Sequence, residues 1–328
     1  STRAGCPTTT VRAGTSRSTI APAPTNASSP ISTPGSRMAA PPTPEPDPDE
    51  LRAAVRERWE RGAAGWRARN DRFQRATMPV SRWLVEAIEP QPGQRVLELA
   101  AGLGEVGFLA AELIQPGGTL ISSDGAEAMV EAARARAAER GVDGVEHRQL
   151  ELEWIDLSAA SVDAVICRWG YMFALDREAA LRETRRVLRP GGRLALATWV
   201  DPARVPFGAI PRQALVDSGL VDGFDTGGPG MFDLADAAEL RGLLDEAGFM
   251  DVVLDELLVT FSYADLDDFW AMTADLSRPF GDVVATLDER QTADLRERVA
   301  AAVEPFAVPG GDGALSVPGV ALVAAASA

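Results

Sequence analysis

The sequence contains no lysine, because all 32 of its basic residues are arginines. Schiff-base chemistry and a phosphate-binding loop both depend on a lysine, so both are excluded. Histidine and cysteine are nearly as scarce, since the chain has only His147, Cys6 and Cys167. One imidazole and two distant thiols cannot form a multi-histidine or CxxC metal site, so no metal is expected. We interpret His147 as a surface or edge residue and Cys167 as a small buried side chain.

Long apolar runs and clustered positive charge are also missing. No run is long enough to span a bilayer and no signal-peptide core is visible, so we expect a cytoplasmic protein. The formal net charge is -16, and phosphate recognition needs clustered basic residues, so nucleic acid is not expected as the substrate. The expected partner is a small molecule, and a homodimer is left open.

Residues 1–46 differ in composition from the rest of the chain. They are rich in Ser, Thr, Pro and Ala and contain no acid before Glu45, which predicts a disordered extension. The same composition fits an organelle transit peptide. We favour a start at Met38 with extra translated sequence before it, so residues 1–37 need not belong to the native protein.

The stretch from Arg95 to Leu109 changes its hydrophobic period at two glycines. It begins with a short apolar run that carries one carboxylate, Glu98, and Gly102 and Gly104 follow before helical spacing sets in. This pattern predicts a strand, a tight turn and a helix. Glycine lets the backbone approach a ligand, and the free amides of the helix start point towards it. A nucleotide-type cofactor is the expected occupant.

Two classes of enzyme use such a turn. Gly102, Gly104 and Gly107 form a GxGxxG pattern, and Asp124 follows at about the distance of a ribose-binding acid in dinucleotide-binding folds. This pattern keeps a nicotinamide-dependent oxidoreductase as the alternative.

The stretch also resembles motif I of the class I S-adenosylmethionine-dependent methyltransferases of small molecules, such as those of quinone and natural-product biosynthesis. In that family an apolar strand carries an acid and precedes a GxGxG-like turn. Glu98 takes the place of the acid, and Ala100, Gly102 and Gly104 take the glycine positions. A dinucleotide fold has no use for a carboxylate inside the strand, so Glu98 favours the methyltransferase.

The resemblance implies a binding site for S-adenosyl-L-methionine. Asp124 ends the strand predicted over Thr119–Ser123 and would accept the ribose hydroxyls, although a helix cap is the alternative. Met129 would pack against the adenine. Glu151 would accept from the adenine amino group and Leu152 would offer its backbone amide, with a solvated loop acid as the alternative for Glu151.

The resemblance also places the acceptor at the end of the fourth strand, predicted over Ser161–Cys167. The residues implied on the acceptor side are Trp66, Arg168, Trp169, Tyr171 and Met172. Arg168, Tyr171 or a rim acid such as Asp201 would assist a deprotonation. Packing of the aromatic residues and an ion pair of Arg168 are the alternatives.

The remaining patterns complete the predicted fold. Helices are predicted over Glu50–Phe73 and Pro79–Ile88, and a Gly- and Pro-rich insertion over Asp201–Asp233. Further predictions are a helix over Leu234–Ala247, a strand over Val252–Thr260 and a last strand over Val317–Ala325, with LRPGG at 188–192 before the fifth strand. The family's fold is α/β, a doubly wound seven-stranded sheet whose last strand is antiparallel, with amino-terminal helices and a lid insertion.

Residues 47–328 would then form one methyltransferase domain. Within it, residues 47–90 are the amino-terminal cap helices, 91–200 the cofactor-binding core, and 201–328 the rim insertion, lid helices and closing strands. Aromatic residues of the presumed lid suggest an apolar acceptor: Phe261, Tyr263, Phe269, Trp270 and Phe280.

The expected reaction is methyl transfer by in-line attack to the carbon or oxygen of a small apolar or aromatic metabolite. The sulfonium carries both the methyl group and a neutral leaving group, so the protein mainly aligns the acceptor. No NPPY-type turn, typical of amide or base amino methylation, follows the fourth strand. A catalytically silent cofactor-binding protein is the third alternative, left open by Ala100 and Glu151.

Overall fold

The computed structural model describes residues 47–223 and 229–328. The predicted disorder of residues 1–46 lies outside the described residues. The described part forms one compact unit. Within that part, no helix combines the length and the apolar character needed to cross a bilayer.

The chain begins with one long helix, α1 (Pro48–Ala87), which Asp47 caps by accepting a hydrogen bond from the backbone amide of Asp49 at 2.9 Å. The prediction of two separate helices is wrong, because Pro79 lies inside this helix. Proline fixes φ near the helical value and removes only one donor. The buried stripe of Phe73, Thr77, Val80 and Leu84 continues across the proline, so packing holds the helix together.

The other elements follow in chain order. They are β1 (Arg95–Leu99), α2 (Glu105–Leu113), β2 (Thr119–Asp124), α3 (Glu127–Arg140), β3 (Val145–Gln149), β4 (Val162–Arg168), α4 (Arg177–Val187), β5 (Leu188–Trp199), α5 (Pro206–Asp217), α6 (Ala237–Glu246), β6 (Met250–Tyr263), α7 (Leu266–Leu276), α8 (Arg278–Val284), α9 (Glu289–Val303) and β7 (Leu315–Ser327). Single 3-10 turns lie at Tyr171–Phe173, Pro202–Arg204 and Glu304–Phe306.

The strands form a seven-stranded sheet in the order β3-β2-β1-β4-β5-β7-β6. The first five strands are parallel, and β7 runs antiparallel between β5 and β6. At the centre, Leu97 of β1 is paired with Ile121 of β2 and with Val165 of β4, and all three are fully buried. Helices on both faces require such continuous apolar strands. The predicted seven-stranded sheet with an antiparallel last strand is confirmed.

The region predicted as a rim insertion contains a helix that was not predicted. Helix α5 occupies part of the region predicted as an irregular insertion over Asp201–Asp233. Pro206 starts this helix and Pro211 lies within it, so the sequence reads as loop. Burial of Ala214 and Leu215 against the rest of the fold supports the helix instead. Asp201 caps a short 3-10 turn by accepting from the amide of Ala203 at 2.9 Å.

Candidate active site

A cavity of about 690 Å³ lies at the carboxyl ends of β1, β2 and β4, beneath α1. The sheet order changes direction between β1 and β4, which is where doubly wound sheets bind ligands. The predicted cofactor and acceptor residues line this cavity except Gly104 and Tyr171, and the rim acid Asp201 does not line it either.

The turn after β1 presents its backbone to the cavity at Gly102. The φ of Gly102 is +56°, and apart from Gly102 and its two chain neighbours no described residue has an atom within 4 Å of the position that a Cβ would occupy. Gly104 has a φ of +81°, but a Cβ there would lie 2.6 Å from the ring of Phe108. Gly104 is the buried N-cap of α2 and does not line the cavity, so its contact with the cofactor stays a prediction.

Ala100 adopts a glycine-like conformation, with a φ of +49°. This left-handed conformation costs an L residue roughly 1–2 kcal/mol. Gly170 makes room beneath it, because a Cβ at Gly170 would lie 2.6 Å from the Cβ of Ala100 and 2.5 Å from Sγ of Cys167. The alanine thus keeps the bend of the motif, and a glycine on the neighbouring strand end accommodates its methyl group.

Asp124 braces the turn from the end of β2. Its Oδ2 accepts from the amide of Gly102 at 2.9 Å, and its Oδ1 accepts from the amide of Ala126 at 3.0 Å. Burial raises the pKa of Asp124 to about 6, although these two hydrogen bonds act in the opposite direction. Each carboxylate oxygen has a further lone pair, so the residue can act as a brace and still accept from a ligand hydroxyl.

The side chain of Glu98 lies under the turn, against Gly107, the third glycine of the GxGxxG pattern. Its side chain is only 2% exposed, and a Cβ on Gly107 would lie 2.3 Å from its Oε2. Burial raises the pKa of Glu98 to about 7. Gly107 therefore makes room for a carboxylate, which is not the role a dinucleotide-binding fold gives to its third glycine.

Arg168 links the end of β4 to helix α1. Its Nη1 donates to Oε1 of Gln74 at 2.9 Å, to Oγ of Ser81 at 2.7 Å and to Oγ1 of Thr77 at 3.2 Å. Burial lowers the pKa of Arg168 to about 10, which leaves it a cation at neutral pH. Arg168 therefore holds α1 against the end of β4, and its assistance to a deprotonation stays a prediction.

Tyr171 lies in the core. Its side chain is 1% exposed, and its hydroxyl is 2.6 Å from Oγ1 of Thr184. Burial raises the pKa of Tyr171 well above its ordinary value. The structure thus argues against Tyr171 as a base or acceptor contact, because its hydroxyl is already paired away from the cavity.

On the predicted adenine side of the cavity, two arginines of α1 pair with acids of the loop after β3, and neither arginine was predicted to lie there. Glu151 accepts from Nη1 of Arg56 at 2.7 Å, and Glu153 accepts from Nε of Arg52 at 2.6 Å. Met129 and Leu152 line the cavity beside these pairs. The only sequence signal was the spacing of four between the two arginines, which places them on one face of α1.

Glu60 fixes the same part of α1 to α3. Its carboxylate oxygens accept from the backbone amides of Glu127 at 2.6 Å and Ala128 at 2.9 Å. A carboxylate at a helix N-terminus satisfies free amides and the helix dipole together. Helix α1 therefore covers the cavity and is held there by polar contacts.

The other half of the cavity is aromatic. Trp169, which has a φ of +59°, stacks on Trp199 with ring centroids 4.5 Å apart and planes 7° apart. Phe207 lies 5.0 Å from Trp199 and 4.4 Å from Phe261, again between ring centroids. Phe73 of α1 packs edge-on against Trp169 at 5.5 Å. We call Phe73, Trp169, Trp199, Phe207 and Phe261 the aromatic half.

Part of the aromatic half was predicted. Its members Trp169 and Phe261 were predicted as site and lid residues. Of the other presumed lid residues, Tyr263 and Phe280 line the cavity, whereas Phe269 and Trp270 do not. Met172 and Trp66 line it too. Phe73, Trp199 and Phe207 were missed, and Phe207 lies on the unpredicted helix α5. Among the described residues, no group of three or more His, Cys, Asp or Glu is placed to hold a metal ion.

Solved structures of similar shape define the class of the fold. The phosphoethanolamine N-methyltransferase 2 of Haemonchus contortus matches with a TM-score of 0.50 at 14% identity, over 83% of this chain and 60% of that one. The YcgJ protein of Bacillus subtilis matches with a TM-score of 0.51 at 19% identity, over 75% of this chain and 97% of that one. At such identities the likeness shows the fold alone, which is the Rossmann-like methyltransferase fold.

Sequence comparison matches part of the chain to known methyltransferases. Residues 97–196 match the model of a methyltransferase domain. The chain is 36% identical to nocamycin O-methyltransferase of Saccharothrix syringae over 143 residues, 43% of this chain and 51% of that protein. It is 26% identical to a ubiquinone/menaquinone biosynthesis C-methyltransferase of Cellvibrio japonicus over 52% of this chain and 72% of that protein. Residues 97–196 are therefore similar to a methyltransferase domain, and the chain resembles both an O-methyltransferase and a C-methyltransferase.

These matches cover only part of each relative's sequence. The chain spans about half the length of the first curated relatives it matches, which include an arsenite methyltransferase of Halobacterium salinarum covered over 48% of its length.

Proposed function

We propose that this protein transfers the methyl group of S-adenosyl-L-methionine to a carbon or oxygen of a small apolar or aromatic molecule. One observation carries the proposal: a single cavity joins the Gly102 turn and Asp124 to the aromatic half. The first end suits an adenosyl group, and the second suits an apolar acceptor.

The residues at the first end fit the cofactor. Gly102 offers open backbone, Asp124 offers carboxylate oxygens for the ribose, and Met129 and Leu152 offer apolar surface for the adenine. When bound, the cofactor supplies an activated methyl group on a sulfonium with a neutral leaving group. Glu151 is the least direct member of this set, because its Oε1 already accepts from Arg56.

The chain's own residues then orient the acceptor and exclude water. The stacked rings of Trp169 and Trp199 form a flat wall, and Phe207 and Phe261 close it from the side. Such a wall favours in-line attack by holding a planar acceptor in one orientation. Neither Arg168 nor Tyr171 is placed to take a proton, so alignment is the main contribution of this site.

Both carbon and oxygen remain in the proposal as the methylated atom. The relatives named above include an O-methyltransferase and a C-methyltransferase. The net charge of -16 supports a small molecule over a nucleic acid as acceptor. A cytoplasmic location and a homodimer also stay proposals; light scattering of the purified protein measures the second.

Calorimetric titration with S-adenosylhomocysteine, NAD⁺ and NADP⁺ tests the cofactor. We expect S-adenosylhomocysteine to bind with one site per chain and neither dinucleotide to bind. Binding of a dinucleotide alone would restore the oxidoreductase alternative. Binding of S-adenosylhomocysteine without methyl transfer to any of a wide set of phenols, enols and carboxylates would favour a catalytically silent protein.

A further inference from the structure

The edge of the cavity between α1 and α8 carries arginine side chains that face the cavity. Arg58 of α1 and Arg278 at the start of α8 both line it. The two helices approach closely here, because a Cβ on Gly62, one turn after Arg58, would lie 3.5 Å from Cγ of Arg278. The same Cβ would lie 3.7 Å from Trp66, which also lines the cavity.

Arg58 is half-buried and makes no hydrogen bond or ion pair with any part of the chain that the structure describes. Burial and the neighbouring charge of Arg61 lower the pKa of Arg58. A charge withdrawn from water without a partner is costly, and a bound anion would remove that cost. Arg58 therefore has the properties of a cation that is paired only when a ligand is present.

Arg278 is only partly neutralised. One of its terminal nitrogens pairs with Asp282, but its Nε is buried and has no hydrogen-bond partner within the described ranges. Asp282 also pairs with Arg61 at 3.0 Å, so two arginines share one carboxylate. Arg61 has one more acidic neighbour, the exposed Glu57 at 3.9 Å. Three arginines thus face two acids at this edge.

The acids that line the cavity lie elsewhere. Asp49 and Glu153 are both paired with Arg52, Glu151 is paired with Arg56, and Glu98 and Asp124 belong to β1 and β2. In a chain whose net charge is -16, a cavity edge with an excess of one positive charge is therefore a local exception. An excess of one charge matches a singly charged carboxylate better than a doubly charged phosphate.

We propose that Arg58 and Arg278 form a carboxylate-binding site at the α1–α8 edge of the cavity. The acceptor is then an aromatic or apolar molecule that carries a carboxylate, with its apolar part against the aromatic half. This proposal rests on the proposed function and narrows its substrate class. Arginine suits the task because its planar guanidinium binds a carboxylate through two parallel hydrogen bonds.

Matched pairs of probes test the proposal in the presence of saturating S-adenosylhomocysteine. The probes are 2-naphthoate with 2-naphthamide, and indole-3-acetate with indole-3-acetamide, measured by calorimetry. We expect the wild type to bind at least one carboxylate about tenfold more tightly than its amide, as charge-assisted hydrogen bonds imply. R58Q should lose this preference and keep its affinity for the amide.

R75Q is the matched control, because Arg75 is exposed on the same helix and does not line the cavity. R58Q should unfold at a temperature no lower than R75Q, since Arg58 has no partner to lose among the described residues. R278Q is the second variant and should also lower the carboxylate affinity, although the loss of its pair with Asp282 affects folding as well.

Three results would overturn the carboxylate site. They are equal binding of carboxylates and amides by the wild type, no binding of any carboxylate probe, and a loss in R58Q no larger than in R75Q. The carboxylate of the cofactor is the other group that this site could bind. If R58Q weakens the binding of S-adenosylhomocysteine as much as that of the carboxylate probes, the site binds the cofactor's carboxylate and the proposal is wrong. Failure of the wild type to bind S-adenosylhomocysteine would instead contradict the proposed function.

Discussion

Gly102 and Gly104 share a positive φ but have different surroundings, and this difference separates cofactor binding from folding. Alanine at either position pays roughly 1–2 kcal/mol for the left-handed conformation. G104A also places its methyl group against the ring of Phe108, at 2.6 Å. We expect G104A to lower the free energy of unfolding more than G102A does. We expect G102A to lower the affinity for S-adenosylhomocysteine more than G104A does. Urea unfolding and calorimetry on both variants check this, and the opposite order would show that Gly102 does not face the ligand.

Asp124 is expected to hold the ribose as well as the turn. D124A should weaken binding of S-adenosylhomocysteine by about 1–3 kcal/mol, the usual cost of losing hydrogen bonds to a charged group. D201A is the control, because Asp201 also caps a short helical turn but lies on the rim. If calorimetry finds the same affinity in D124A as in the wild type, Asp124 is only a brace.

Glu98 should make stability depend on pH. Burial raises its pKa to about 7 from 4.5, so the folded state binds its proton more tightly than the unfolded state does. Its contribution to the free energy of unfolding therefore grows as the pH falls through this window, by roughly 2 kcal/mol between about pH 8 and about pH 5. Asp124, with a pKa of about 6, acts in the same direction at lower pH.

E98Q removes this titration and keeps the shape of the side chain. Its free energy of unfolding should therefore rise less than that of the wild type as the pH is lowered, in urea titrations at several pH values. Equal pH dependence in the two proteins would mean that Glu98 is ionised in the folded state at neutral pH, contrary to its burial.

At the scale of elements, α1 is the part whose motion would admit the cofactor. Glu60 holds it to α3 through two backbone amides, and Arg52 and Arg56 hold it to the loop after β3. E60A should therefore lose about 1 kcal/mol of stability and release S-adenosylhomocysteine roughly fivefold faster in stopped-flow experiments. E57A is the control, because Glu57 is exposed on the same helix. An unchanged release rate in E60A would mean that the ligand leaves without movement of α1.

Element boundaries were predictable where burial follows a simple period. The strands β2 and β4 match their predicted ranges to within a residue, and β1 covers the apolar run predicted as a strand, because apolar runs between polar turns mark all three clearly. The joined helix α1 and the unpredicted helix α5 both contain proline, which sequence rules treat as an interruption. In both cases buried contacts with distant parts of the chain compensate for the missing donor.

At the scale of the molecule, the seven-stranded sheet with its antiparallel last strand was predicted from the sequence, and so were residues that line one half of the cavity. The Gly102 turn, Asp124 and Met129 lie close together in the chain and in a recognisable motif. The aromatic half combines residues from α1, the ends of β4 and β5, α5 and β6, so only the tertiary structure brings Phe73, Trp199 and Phe207 together. The same holds for Arg58 and Arg278, which no local pattern connects.

The most direct test is a crystal structure of the protein soaked with S-adenosylhomocysteine. The account predicts ribose hydroxyls within hydrogen-bond distance of Asp124, the sulfur atom over the turn at Gly102 and adenine against Met129. Electron density for the ligand elsewhere, or a crevice beside Gly102 that stays empty at saturating ligand, would contradict it.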